Sequence, residues 1–117
     1  MKRFIVEFGT GADLHGGNVT EAAQRAVKDA MSHCCLCGIS EIVEIGDLRE
    51  VRLEVKIGCP HPEKLDRNEV LKQLSFYEDI SIEVVQGGME VKGLHVPAMG
   101  EGDKIVIAVA AITVFIR

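Results

Sequence analysis

A run from Gly9 to Gly17 near the amino terminus combines four glycines with one carboxylate, Asp13, and one imidazole, His15. The alternating apolar stretch before it, residues 3–8, predicts a strand, and Asn18 is a typical residue for capping the helix that follows. The run is therefore predicted to be a strand-to-helix loop. Its glycines would let a ligand approach backbone N–H groups at the helix N-terminus.

Asp13 and His15 are two residues apart, and in an extended loop both side chains would point the same way. That arrangement suits a shared metal ion, or a pair in which the carboxylate orients the imidazole as a general base. Both residues are therefore the predicted catalytic pair. The alternative is structural: Asp13 accepts hydrogen bonds from loop N–H groups, and His15 bonds to the backbone.

Two phosphate-binding motifs are excluded. Leu14 stands where the dinucleotide fingerprint needs its third glycine, and no Gly-Lys-Ser/Thr sequence follows the run. A small anion on the loop N–H groups remains the expected ligand, although Asp13 opposes it by like charge. The sequence identifies no cofactor, and no metal ligand is assigned.

Further candidates follow the later strands. The turn Cys59-Pro60-His61-Pro62 ends one predicted strand, and a double glycine ends another. If the first two strands are parallel, their carboxyl ends share an edge, and Asp13, His15, Cys59 and His61 could line one pocket. The alternative is a rigid proline turn with Cys59 buried. The predicted ligand-binding residues are Gly9, Gly11, Gly16, Gly17, His61, Gly87 and Gly88.

A cysteine cluster lies at the far end of the predicted first helix. Cys34, Cys35 and Cys37 match no standard zinc spacing, and Cys34 continues the apolar face of that helix. We expect reduced thiols there, with Cys34 buried and no zinc bound.

Five residues carry a resemblance to a known family. Gly9, Gly11, Asp13, His15 and Gly16 match the G-x-G-x-D-x-H-G motif of a conserved-hypothetical family sometimes called the "Lin" family. Looser matches are Cys59-Pro60 and Gly87-Gly88-Met89. The family has no assigned activity to carry over. The resemblance implies that the glycine run lies at the functional end of the fold.

The apolar spacing predicts one domain over residues 1–117 with the order β-α-β-α-β-β. The fold class is α+β, with a mixed four-stranded sheet and two helices on one face. The stretch Met89–Met99 is interpreted as irregular. This layout resembles the chorismate-mutase-like fold, which is also seen in the C-terminal domain of tubulin-like proteins. The predicted final strand, Lys104–Ile116, is apolar on both faces.

That final strand predicts a homo-oligomer. A sheet with helices on one side leaves its other face bare, and an apolar bare face favours cover by another subunit. The alternative is a central strand beneath a folded-over loop.

Composition excludes several function classes. The net charge of −5, scattered basic residues and few aromatics argue against nucleic-acid binding. The chain shows no export signal and no apolar run long enough to span a bilayer, so we expect a cytoplasmic protein without a membrane partner. The function indicated is an oligomeric small-molecule-binding protein or enzyme. The alternatives are a metal-dependent hydrolase or lyase using Asp13 and His15, and a non-catalytic assembly module.

Overall fold

The computed structural model describes all residues from Met1 to Arg117, and one five-stranded mixed sheet forms its centre. The strands are β1 (Lys2–Asp13), β2 (Arg52–Cys59), β3 (Asp79–Gln86), β4 (Met89–Lys92) and β5 (Lys104–Ile116). Their order is β1-β5-β2-β3, and β4 pairs with the first residues of β5. β2 and β3 are parallel, whereas β5 is antiparallel to β1, β2 and β4. The carboxyl ends of β1, β2 and β3 therefore lie at one edge.

Three helices accompany the sheet: α1 (Val19–Ser32), α2 (Cys37–Glu41) and α3 (Arg67–Leu71). α1 packs across β1 and β5, and α3 packs against α1. The Asn18 side chain accepts the N–H of Glu21 at 3.1 Å, which supplies the predicted cap of α1. Asp66 caps α3 in the same way. No helix in the chain has the length and apolar character needed to cross a bilayer.

The predicted fold class, α+β with a mixed sheet, is confirmed, and the final strand has the predicted bounds. The sheet has five strands instead of four because Met89–Lys92 pairs with β5. The predicted loop is wrong over its first half, since β1 continues through Gly9 and Gly11 to Asp13. α1 ends at Ser32, so Cys34 lies beyond the helix and is exposed, contrary to the expectation of burial.

Gly9 and Gly11 explain how closely α1 approaches the sheet. A Cβ atom on Gly9 would overlap the backbone of Ala26 and Ala30 in α1. One on Gly11 would overlap the backbone of Ala22 and Ala26. Two glycines on the strand and an alanine-rich helix face therefore bring the two backbones into direct contact. Packing alone accounts for both glycines.

The face of the sheet away from α1 has an apolar half and a charged half. Its β1–β5 half is apolar and includes Val6, Phe8 and Val109, all exposed. Its β2–β3 half carries ion pairs, among them Arg52 with Asp79 at 2.8 Å. The hydrophobic core lies between the helices and the opposite face of the sheet. No helix covers the apolar half, so this part of the predicted bare face is present.

Candidate functional site

Asp13, the last residue of β1, is buried, with only 5% of its surface exposed. Its Oδ2 accepts the N–H of Asn18 at 2.8 Å, and its Oδ1 lies 3.4 Å from Nη1 of Arg25. The same Nη1 donates to the carbonyl of Ala12 at 2.6 Å. Asp13 thus closes the turn between β1 and α1, and Arg25 compensates its charge. Asp13 is therefore a buried residue at the end of a strand and not part of the loop that the sequence predicts.

Asp13 and His15 make no hydrogen bond to each other, and the Asp13 oxygens accept from Asn18 and Arg25 instead. Leu14, the residue between them, is exposed. His15 has a different environment: its Nδ1 is enclosed by protein and has no hydrogen-bond partner. An enclosed polar atom without a partner is rare in folded proteins. A catalytic role for Asp13 and His15 stays a prediction.

Four successive backbone N–H groups lie between β1 and α1, at Leu14, His15, Gly16 and Gly17. None of them donates a hydrogen bond within the chain. Gly16 and Gly17 have φ angles of 105° and 61°, which L side chains rarely adopt. Successive N–H groups in such turns form concave anion-binding sites, and the positive end of a helix dipole strengthens them.

A cleft of about 400 Å³ lies beside these N–H groups. It is lined by Ala12, Asp13, Leu14, His15, Glu21, Arg25 and Met99. The segment after β4 closes one side, since Gly100 packs against the backbone of His15 and Gly16. Gly100 has a φ of 150°, and a Cβ there would lie 2.9 Å from the carbonyl oxygen of His15.

Two cations were not predicted from the sequence: Arg25, which lines the cleft, and Lys104, which lies beside Gly17. Arg25 lies two turns into α1, and Lys104 begins β5 with its Cβ beside Gly17. Lys104 has no carboxylate within 4.0 Å. Nothing in the sequence distinguishes Arg25 from Lys28, the other basic residue of α1. Only the strand pairing reveals Lys104.

His61 does not join this cleft. It has a φ of 51°, and its Nε2 lies 3.2 Å from Oε1 of Glu90 in β4. No cavity is lined by both His15 and His61, so the predicted shared pocket is wrong. The reason is the strand order, in which β5 separates β1 from β2. Cys59 is buried, as the structural alternative for that turn expected.

Gly87 and Gly88 lie where the chain leaves β3 and starts to pair with β5. Gly87 packs against Gly58, and a Cβ on Gly88 would overlap the carbonyl oxygen of Ile107. The close backbone approach expected of this pair is present, and the neighbour is β5 itself. Packing therefore accounts for both glycines.

The cysteine cluster lies at the other end of α1. All four cysteines are free thiols, and the Cys34 thiol donates to Glu7 in β1 at 2.6 Å. No group of three His, Cys, Asp or Glu side chains comes together as a metal-binding cluster. The cleft beside Leu14–Gly17, called the glycine cleft below, lies at the opposite end of α1 from the cysteine cluster.

Replacing Asp13 tests its structural role. We expect Asp13→Ala to lower the free energy of unfolding by about 1–3 kcal/mol, because it removes the acceptor of the part-buried Asn18 N–H and the buried carboxylate that Arg25 contacts. The control is Asp79→Ala, which removes an exposed ion pair with Arg52 and should cost about 0–1 kcal/mol. Urea denaturation measures both. If both variants lose the same small amount of unfolding free energy, Asp13 does not stabilise the turn between β1 and α1.

Comparison with known proteins gives a family and a fold. A model of a family of conserved hypothetical proteins, Lin0512_fam, matches residues 3–114. The crystal structure of a protein from Nostoc punctiforme PCC 73102 is 39% identical and has a TM-score of 0.88. The alignment covers 99% of this chain and 96% of that one, which is described as an FtsZ-like protein of unknown function. No curated protein is significantly similar in sequence to this chain.

Proposed function

This chain belongs to the Lin0512 family of conserved hypothetical proteins, and we propose that it is a homo-oligomeric protein that binds a small anionic molecule beside Gly16 and Gly17. One observation carries the proposal: the four N–H groups from Leu14 to Gly17 have no acceptor in the chain. Unpaired donors at a helix N-terminus favour a carboxylate or a phosphate.

The charges around the cleft permit an anion. Arg25 compensates Asp13, which removes the like-charge objection raised by the sequence. Lys104 adds a second positive charge beside Gly17, whereas Glu21 opposes an anion and lies 3.9 Å from Nη2 of Arg25. His15 also lines the cleft, but its unpaired Nδ1 is enclosed by protein and is not open to a ligand.

Calorimetric titration with inorganic phosphate and with a small dicarboxylate tests the site. We expect Lys104→Ala to weaken anion binding about tenfold, because it removes a positively charged side chain beside Gly17. The control, Lys28→Ala, lies on the exposed face of α1 and should bind like the unchanged protein. Equal affinity of both variants, or no binding of either anion to the unchanged protein, would contradict the proposal.

The oligomer is supported by the apolar half of the open sheet face. Phe8 is 67% exposed and stands between the exposed side chains of Val6 and Val109 on the same face. Contiguous exposed apolar surface of this kind is typical of an interface. The ion pairs on the β2–β3 half border this surface on one side.

The two alternatives have less support. A metal-dependent hydrolase would need a third ligand beside Asp13 and His15, and His61 is paired with Glu90 instead. A pure assembly module would leave the unpaired N–H groups and the cleft without a use.

A further inference from the structure

A second cavity, of about 170 Å³, lies at the other end of α1. Its floor is fully buried and apolar, formed by Leu53, Leu74, Ile112 and Val114. Partly exposed side chains form its mouth: Met31, Leu36 and Tyr77. Glu7 and Cys34 complete the wall. Glu7 and Asp13 are six residues apart on β1, about 20 Å, so this cavity is distinct from the glycine cleft.

Glu7 is the unusual member of this wall, because only 8% of its surface is exposed. Its Oε1 accepts the Cys34 thiol, and its Oε2 accepts no hydrogen bond. No Lys, Arg or His side chain lies within 4.0 Å of the carboxylate. Oε2 is not enclosed by protein, so it is open to a hydrogen-bond donor from outside the chain, and Glu7 lines the cavity.

We propose that this cavity binds a small organic ammonium ion, a primary amine carrying one compact apolar group. The ammonium would donate to Oε2 of Glu7, and the apolar group would pack against Leu53, Leu74 and Ile112. An engineered apolar cavity of about 150 Å³ holds benzene, so a volume of 170 Å³ suits six to eight non-hydrogen atoms. The carboxylate excludes anions of the kind proposed for the glycine cleft.

The two other polar groups in the cavity wall, Cys34 and Tyr77, both have a raised pKa. The hydrogen bond to Glu7 raises the pKa of the Cys34 thiol. Burial raises the pKa of Tyr77, and the charge of Glu7 raises it further. Both groups are therefore neutral at pH 7, and neither adds a charge to the wall of the cavity.

The test compares benzylamine with benzyl alcohol, which has the same shape and no charge, by calorimetric titration of the full chain. We expect benzylamine to bind at least tenfold more tightly. Glu7→Gln should lower the affinity for benzylamine at least tenfold, whereas Glu41→Gln, at an exposed position, should leave it unchanged. Equal binding of the two compounds, an unchanged Glu7→Gln affinity, or no binding at millimolar ligand would overturn the proposal.

A second measurement needs no variant and so stands even if Glu7→Gln fails to fold. Cys34, Cys35 and Cys37 are all exposed, and of the three only Cys34 lines the cavity. Benzylamine should slow the alkylation of Cys34 by iodoacetamide, followed by peptide mass spectrometry, and leave Cys35 and Cys37 unchanged. Phosphate should slow none of them. A Cys34 rate that benzylamine does not change, or that phosphate changes equally, would overturn the proposal.

Discussion

Gly9→Ala is expected to lower the free energy of unfolding by about 3 kcal/mol or more, the largest loss among the variants considered. Its Cβ would occupy the space of the Ala26 carbonyl oxygen and the Ala30 amide nitrogen, which are backbone atoms of α1. Backbone atoms cannot avoid the overlap by a change of side-chain rotamer. The whole of α1 must therefore move away from the sheet, which opens the core. Guanidinium denaturation followed by circular dichroism measures the loss.

The matched control for Gly9→Ala is Gly46→Ala. Nothing lies within 4 Å of a Cβ at Gly46, and its φ is not positive. Alanine there should be neutral, or should stabilise the fold by a few tenths of a kcal/mol through the unfolded chain. If the two variants have the same stability, α1 does not depend on the glycines of β1.

Phe8→Glu is expected to dissociate the oligomer. The substitution removes an aromatic side chain from the centre of the apolar β1–β5 surface and places a charge there, which raises the dissociation constant by about 100-fold or more. Folding should be little affected, because Phe8 is 67% exposed within one chain. Light scattering after size-exclusion chromatography should report the oligomer for the unchanged protein and one chain for the variant.

Phe76→Glu is the control for this prediction. Phe76 is 76% exposed in the turn before β3, so the same chemical change is made away from the apolar surface. It should leave the number of subunits unchanged. A monomeric unchanged protein at micromolar concentration would refute the oligomer, and dissociation by both variants alike would place the interface elsewhere.

Periodicity was enough to predict most of the elements. The apolar stretch from Lys104 to Ile116 has the length and composition of a central strand, and the capping residue Asn18 places the start of α1 correctly. β4 was missed because its four residues, Met89–Lys92, are too short to show a period and are stabilised by pairing with β5.

The glycines from Gly9 to Gly17 are only partly explained by the predicted loop, because a glycine can be required for two different physical reasons. Gly16 and Gly17 adopt positive φ angles in a turn, which is the cause assumed for the whole run. Gly9 and Gly11 are instead required by the backbone of α1, and that contact depends on tertiary packing. The sequence alone does not distinguish a glycine that is required for a positive φ from one that is required because a side chain would not fit.

The candidate sites were only partly predictable for a related reason. Asp13 and His15 were identified by residue type, but the partners of Asp13 come from Asn18 and Arg25 after the chain turns. Nothing in the sequence indicates that Glu7 is buried, since an acidic residue in an alternating strand is normally expected to face water. Only the placement of Cys34 and Tyr77 around it reveals a buried carboxylate.

The most direct test of the proposed function follows the backbone amides of the ¹⁵N-labelled protein by NMR while inorganic phosphate is added. The account predicts saturable shifts concentrated at His15, Gly16 and Gly17, with downfield movement of amide protons that gain an acceptor. The amides of Gly38 and Glu41, at the far end of α1, should not move. Shifts spread evenly over the surface, or absent from the Leu14–Gly17 segment at saturating phosphate, would contradict the account.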